Sequence, residues 1–247
     1  MSGKRMLLLG AYSMEVIECG GALCKNAQDG GVSHGAIMFA GEKMREDLAR
    51  SAAILNVSLE FLDMDAGAVS GSLEEKIKLI SVIRRFKPDI IITQDTEHCI
   101  SDLDPGRRPV MPLVLEAIAL ASRPYALDQT PGLEPWPCAT IYYMAPEHPN
   151  CLVDIGSVWE KKCAAMDELE AQLIHFGGPC SQADEEYRSM LIPEWKYLET
   201  PLERGRAWKR KMDLAYYMYP GSNGHYNVVF AEQYRREGCF ILDNLLV

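Results

Sequence analysis

Residues 5–21 read RMLLLGAYSMEVIECGG. Arg5–Leu9 is a short, mostly apolar run that stops at a glycine, the pattern of a parallel strand buried on both faces. Gly20-Gly21 then opens a helix to about Gln28, and Asp29-Gly30-Gly31 closes it. Working outward, Val32–Phe39 reads as a second strand, Glu42–Leu55 as a helix and Leu59–Leu62 as a third strand. Ser72 with Glu75 three residues on is a capping-box pattern. The helix it starts carries Ile77, Ile80, Ile83 and Phe86 on one stripe and ends at Lys87-Pro88-Asp89. Ile90–Thr93 is an apolar strand, and Val110–Ala121 a further helix. This strand-helix alternation predicts an α/β protein with a mostly parallel sheet and helices on both faces. Ligands of such sheets bind beyond the carboxyl ends of the strands, so the loops after residues 9 and 93 are the places to look.

The second half of the chain is less regular. Arg123–Pro137 holds four prolines and reads as a surface loop. Ala139–Met144 and Leu152–Ile155 read as strands and Ser157–Leu173 as a helix. Gly177–Pro193 reads as a polar excursion, Pro201–Met212 as a charged helix and Val228–Tyr234 as a short final element. No repeat or shift of composition divides residues 1–247, which read as a single domain.

With 48% hydrophobic residues the chain can bury a large core, yet no run reaches the ~18 apolar residues of a membrane span. The start, MSGKRMLLLG, passes straight into polar sequence and reads as a strand, not a signal peptide, so the expected setting is cytoplasmic. A net charge of −10 argues against nucleic-acid binding, which needs a basic face. The eight cysteines form no C-x-x-C pair, which suits neither a zinc ribbon nor a disulfide framework. Most read as small, reduced core residues.

The first loop, Gly10 to Gly21, has neither the G-x-G-x-x-G spacing of a dinucleotide site nor a phosphate-loop lysine. Taken alone, it is a turn whose glycines let a helix pack close to the sheet. Its surroundings say more. Gly10–Glu15, Gly20–Leu23, Gly41-Glu42, Leu55–Leu62, Lys87–Ile91, Asp154–Lys162 (DIGSVWEKK) and Phe230–Tyr234 (FAEQY) occur in an order that resembles the PIG-L/LmbE-like family of zinc-dependent deacetylases. The resemblance spans most of the chain and implies a Rossmann-like fold. The DIGSVWEKK stretch is also similar to a branch of that family that includes 4-oxalomesaconate hydratase.

The family's first loop reads A-H-P-D-D, where the histidine and second aspartate bind zinc and the first aspartate is the general base. Here Ala11 is kept, Tyr12 stands for the histidine, Met14 for the base and Glu15 for the liganding aspartate. The family's second motif, H-P-D-H-R, aligns with Asp104–Arg108 (DPGRR), so Asp104 and Arg107 replace both histidines while Arg108 is retained. A later family histidine falls at Leu169. Zinc takes about four Cys, His, Asp or Glu ligands. Tyrosine's phenol titrates near ~10, arginine offers no lone pair, and methionine cannot accept a proton from water. No zinc or other cofactor is therefore expected.

The sequence thus predicts a non-catalytic or repurposed relative with a pocket for a small sugar-like or carboxylated ligand. Tyr12, Met14, Asp95, His98, Arg107 and Arg108 are the candidate pocket residues. The rival is a hydrolase or hydratase in which Glu15 or Asp104 moves the proton, helped by a raised carboxyl pKa. A third reading is a structural partner with a closed pocket. Arg107 is expected to reach the vacated metal position and pair with Glu15 or Asp104. A displaced metal site from Glu15, His98 and Asp104 competes with a plain loop that caps the next helix. His34, His148, His175 and His225 read as structural or solvated, and the four tryptophans as packing anchors. Proteins of this family often oligomerise, so a homo-oligomer is an expected partner state, with no nucleic acid and no membrane span.

Overall fold

The computed structural model describes residues 3–137, 140–223 and 227–237. β1 (Arg5–Tyr12) leads through a one-turn helix, α1 (Glu15–Glu18), into α2 (Gly20–Gln28). β2 (Val32–Phe39), α3 (Glu42–Leu55), β3 (Val57–Phe61), α4 (Leu73–Phe86) and β4 (Ile90–Gln94) follow. Next come α5 (Thr96–Ser101), α6 (Arg107–Ala121), β5 (Thr140–Met144) and β6 (Cys151–Asp154). The chain continues through α7 (Trp159–Asp167), α8 (Glu170–Phe176), α9 (Gln182–Leu191), α10 (Pro201–Asn223) and β7 (Ala231–Arg236).

The sheet order is β3-β2-β1-β4-β5-β7-β6. β1 to β5 run parallel, and β7 runs antiparallel to both β5 and β6. The order reverses between β1 and β4, where the chain leaves one side of the sheet for the other, and their carboxyl ends diverge to leave a crevice. Leu7, Leu8 and Leu9 are all fully buried because both faces are covered. Leu8 packs with Val16, Leu23, Ile37 and Ile92 on one face, while Leu7 and Leu9 pack with Leu79, Ile83 and Val114 on the other. Burying each such side chain stabilises the fold by about 1.5–3 kcal/mol.

The expected capping box forms: Ser72 Oγ accepts from Glu75 N at 3.3 Å and Glu75 Oε2 from Ser72 N at 2.7 Å. Several boundaries differ from the sequence reading. Residues 157–173 are not one helix but a short turn and two helices, broken at Glu168-Leu169 where the Leu169 side chain is buried. The excursion over residues 177–193 contains α9, which buries none of its residues and so leaves no apolar stripe to read. α10 runs on from Met212 to Asn223, and β7 lies at residues 231–236, where it closes the sheet between β5 and β6. The strand read from Ala139 is observed from Thr140; Ala139, with Cys138, Cys239 and His225, lies outside the described residues. No helix among the described residues is long and apolar enough to cross a membrane.

Candidate functional site

At the end of β1 the chain turns into α1, and the amides of Ala11 and Tyr12 are met by a side chain. The fully buried Glu15 carboxylate accepts from both, at 2.8 and 3.2 Å. Burial and the charge of Glu18 push its pKa up to about 8, against the pull of the two amides and of Arg107. Beside it, the Tyr12 hydroxyl donates to Asp104 Oδ1 at 2.9 Å. Burial and Asp104 push the Tyr12 phenol up to about 12.

Asp104 Oδ1 also accepts from the backbone of Gly106 (2.7 Å) and Arg107 (3.2 Å), so it organises the first turn of α6. A Cβ at Gly106 would lie 2.6 Å from the Tyr12 hydroxyl, which makes glycine a requirement of this contact. Arg107 does not pair with Glu15 or Asp104 as expected. Its Nη1 donates to Asp102 Oδ2 at 2.8 Å, with the guanidinium 5.4 Å from the Tyr12 ring centre. Amides already engage both Glu15 oxygens, and Asp104 Oδ1 takes the Tyr12 hydroxyl and two amides, while Asp102 Oδ2 accepts the guanidinium. The charge of Arg107 still reaches Glu15 and Glu18 and favours their ionised forms.

The other sequence-named residues separate from this cluster. Asp95 is fully buried, caps α5 through His98 N at 3.3 Å and is gripped by Arg235 of β7 at 2.7 Å. His98 pairs with Glu147 at 2.9 Å. Arg108 is exposed. Glu15, His98 and Asp104 are each engaged elsewhere and do not converge. No group of three His, Cys, Asp or Glu able to hold a metal occurs among the described residues.

A zinc ion does not fit the residues at the positions the resemblance points to. Arg107 carries a permanent positive charge, the Tyr12 phenol keeps its proton, and the Glu15 oxygens accept from backbone amides. The six described cysteines are free, and burial raises every one of their thiols.

Beyond the carboxyl ends of β1 and β5 opens a cavity of about 830 Å³. Of the sequence-named residues, Met14 and His98 line it. The rest of its wall comes from Glu18, Met144, β7 and a face of α10 carrying Lys209, Asp213 and Tyr216. A smaller groove of about 260 Å³ lies by Met6 and Ile90, at the amino ends of β1 and β4, the side of the sheet where ligands do not usually bind.

Bordering the cavity, and lining it through Glu232, is a buried ionic cluster that the sequence reading missed. Glu232 of β7 and Lys162 of α7 are each 2% exposed and meet at 2.7 Å. Glu232 also accepts from the amides of Gly21 (2.7 Å) and Ala22 (2.9 Å) and from the Tyr234 hydroxyl (2.7 Å). It thereby satisfies amides that the start of α2 leaves without intrahelical partners. A Cβ at Gly21 would come within 2.6 Å of that carboxylate, so the second glycine of the pair is needed here. Lys162 Nζ donates to the carbonyls of Ile17 and Glu18 and sits 4.2 Å from the Tyr217 ring centre. The available signals were Gly20-Gly21 at a helix start, which needs an acceptor, and the positions of Lys162 and Glu232 inside the two stretches DIGSVWEKK and FAEQY.

The Glu18 side chain faces the cavity. Burial pushes its carboxyl above the ordinary range, opposed by the charges of Arg107, Lys162 and Lys209.

No family model matches the chain. Its fold is that of the LmbE/PIG-L-type deacetylases and hydratases, as the resemblance implied. In sequence it is similar to the 4-oxalmesaconate hydratase of Pseudomonas putida, 25% identical over 198 residues that cover 68% of this chain and 74% of the relative. In structure it is similar to the 4-carboxy-2-hydroxymuconate hydratase of Pseudomonas putida, with a TM-score of 0.67 at 22% identity over 97% of this chain and 98% of the other. The N,N'-diacetylchitobiose deacetylase of Pyrococcus horikoshii gives a TM-score of 0.69 at 18% identity, over 94% of this chain and 84% of that one.

Proposed function

We propose that this chain is a cytoplasmic, repurposed relative of these proteins that binds a small ligand in the 830 Å³ cavity without zinc chemistry. The observation that carries the reading is that the inherited positions are engaged with one another and with the backbone. Tyr12 holds Asp104, Arg107 holds Asp102, and Glu15 holds two backbone amides, while the cavity beside them stays open. Glu15 is fully buried and outside the cavity wall, so it supports the loop and does not meet a ligand. Asp104 likewise serves the Tyr12 contact and the start of α6.

An open cavity also favours binding over a purely structural role, because Met14 forms part of the wall and does not fill the space. Of the two ligand types expected from the sequence, a sugar-like one suits the lining better. Tyr216 and Tyr219 offer ring faces to C–H surfaces, and Glu18 accepts from hydroxyls. The test is elemental analysis of protein produced with zinc supplementation, joined to an assay of acetate release from N,N'-diacetylchitobiose. Zinc well below one per chain and no release above background are expected. One tightly held zinc per chain, or chelator-sensitive acetate release, overturns the proposal.

A further inference from the structure

The charges of the described residues that line the cavity pair off, with one exception. Lys209 and Asp213, one helical turn apart on α10, bond each other. His98 bonds Glu147 at 2.9 Å, and Glu232 bonds Lys162 at 2.7 Å. That leaves Glu18. Its backbone carbonyl accepts from Lys162 and from the Tyr217 hydroxyl, but its side chain has no hydrogen bond or ion pair among the described residues. The three cations whose charge reaches it, Arg107, Lys162 and Lys209, each already hold a carboxylate of their own: Asp102, Glu232 and Asp213.

A half-buried carboxylate without a partner among the described residues is costly, and the cost is relieved by a cation or hydrogen-bond donor brought by something else. The fold shows the same chemistry at the cavity's border. The Lys162 ammonium is held there by a carboxylate, two carbonyls and the face of Tyr217. Glu18 of α1 and Tyr216 and Tyr219 of α10 line the same cavity, and tyrosine faces attract cations as well as apolar groups. An anionic ligand finds no unpaired cation among the described lining residues, and it would set a second negative charge beside Glu18.

We propose that the cavity selects a ligand carrying one cationic nitrogen group (an ammonium, amidinium or guanidinium), which pairs with the Glu18 carboxylate while its C–H surface lies against Met14, Met144 and Met212. This rests on the reading of the cavity as the ligand site and narrows it, since carboxylated ligands are excluded. Charge-assisted bonds of this kind are strong relative to neutral ones, and an amidinium can make two in parallel.

The test uses three probes of nearly equal shape: benzamidine (cationic), benzamide (neutral) and benzoate (anionic). Binding is followed by the methyl signals of Met14, Met144 and Met212 in methyl-labelled protein, at mildly alkaline pH where Glu18 is more ionised. Benzamidine is expected to shift all three signals and to bind about ten- to a hundredfold more tightly than benzamide, with benzoate weakest. Glu18→Gln is expected to keep benzamide binding, erase the preference for benzamidine and leave the melting temperature no lower than wild type. Equal binding of benzoate and benzamidine, or a preference that survives Glu18→Gln, overturns the cation selection and leaves the ligand cavity standing. Failure of every probe to move any of the three methyl signals in the wild type overturns the cavity reading and this inference together.

Discussion

The buried pair of Lys162 and Glu232 gives a prediction whose asymmetry follows from counting donors. Glu232 faces four donors: the amides of Gly21 and Ala22, the Tyr234 hydroxyl and Lys162 Nζ. In Lys162→Met the carboxylate keeps three of them, and two carbonyls, of Ile17 and Glu18, lose their donor. In Glu232→Gln the four donors meet one oxygen and an NH2 group that is itself a donor. At least two donors go unmatched, and the Lys162 ammonium stays buried against carbonyls and the Tyr217 ring alone. Breaking a buried pair costs about 3–5 kcal/mol, so Lys162→Met is placed near ~3 and Glu232→Gln near ~5 kcal/mol. For a chain of this size these correspond to falls in Tm of roughly 6–12 °C and 10–20 °C. Urea unfolding of both single variants and of the double variant measures the cycle. The double variant is expected to be less destabilised than the sum of the singles by about 2 kcal/mol, because the second change no longer breaks an intact pair. The reasoning is refuted if Lys162→Met is the more damaging single variant, or if the two costs add within ~0.5 kcal/mol.

Two further outcomes are expected elsewhere in the fold. The native Glu15 carboxyl holds its proton to about pH 8 against an ordinary 4.5, so stability that is full below pH 4.5 is lost as the pH climbs through 8. Relative to wild type, Glu15→Gln should therefore gain up to about 5 kcal/mol between acid and alkaline conditions, and parallel urea curves across that range would contradict this. Arg84 is fully buried and donates to Thr130 Oγ1 at 2.7 Å and to the carbonyls of Arg123 (2.7 Å) and Tyr125 (2.9 Å). Arg84→Met is expected to cost about 3–5 kcal/mol and to make the 122–137 segment the first site of limited proteolysis; cleavage elsewhere first would show that another element holds that loop.

What could be read in the sequence was whatever has a local cause. The run Arg5–Gly10 announces its strand because both faces are covered, so no polar residue interrupts it until the end. Ser72 and Glu75 announce their helix because the capping box closes within three residues. α9 leaves no such trace: its apolar residues Tyr187, Met190 and Leu191 stay exposed, and its own box uses Asp184 where Glu or Gln is usual. Met14 and His98 could be named because each follows the carboxyl end of a parallel strand. The Lys162–Glu232 pair joins positions 70 apart, and Gly21 meets Glu232 across 211. No spacing rule connects residues that only the closure of β7 against β5 and β6 brings together.

The residues that stand at the two motif positions work as one unit. A tyrosine at position 12 supplies both a ring beneath the Arg107 guanidinium and a hydroxyl for Asp104. That hydroxyl can reach Asp104 only because position 106 is glycine. Asp104 in turn fixes the amide of Arg107, which sets the guanidinium between Asp102 and the field of Glu15 and Glu18. Each residue thus makes sense in the presence of the others. Arg107 supplies a fixed positive charge near two buried carboxyls, as a cation would, but a guanidinium has no empty orbital with which to polarise a carbonyl or acidify water. On the metal-independent reading, Glu15 supports the loop, and Glu18, without a side-chain partner among the described residues, faces the cavity. The site's function then lies in what that carboxylate recognises.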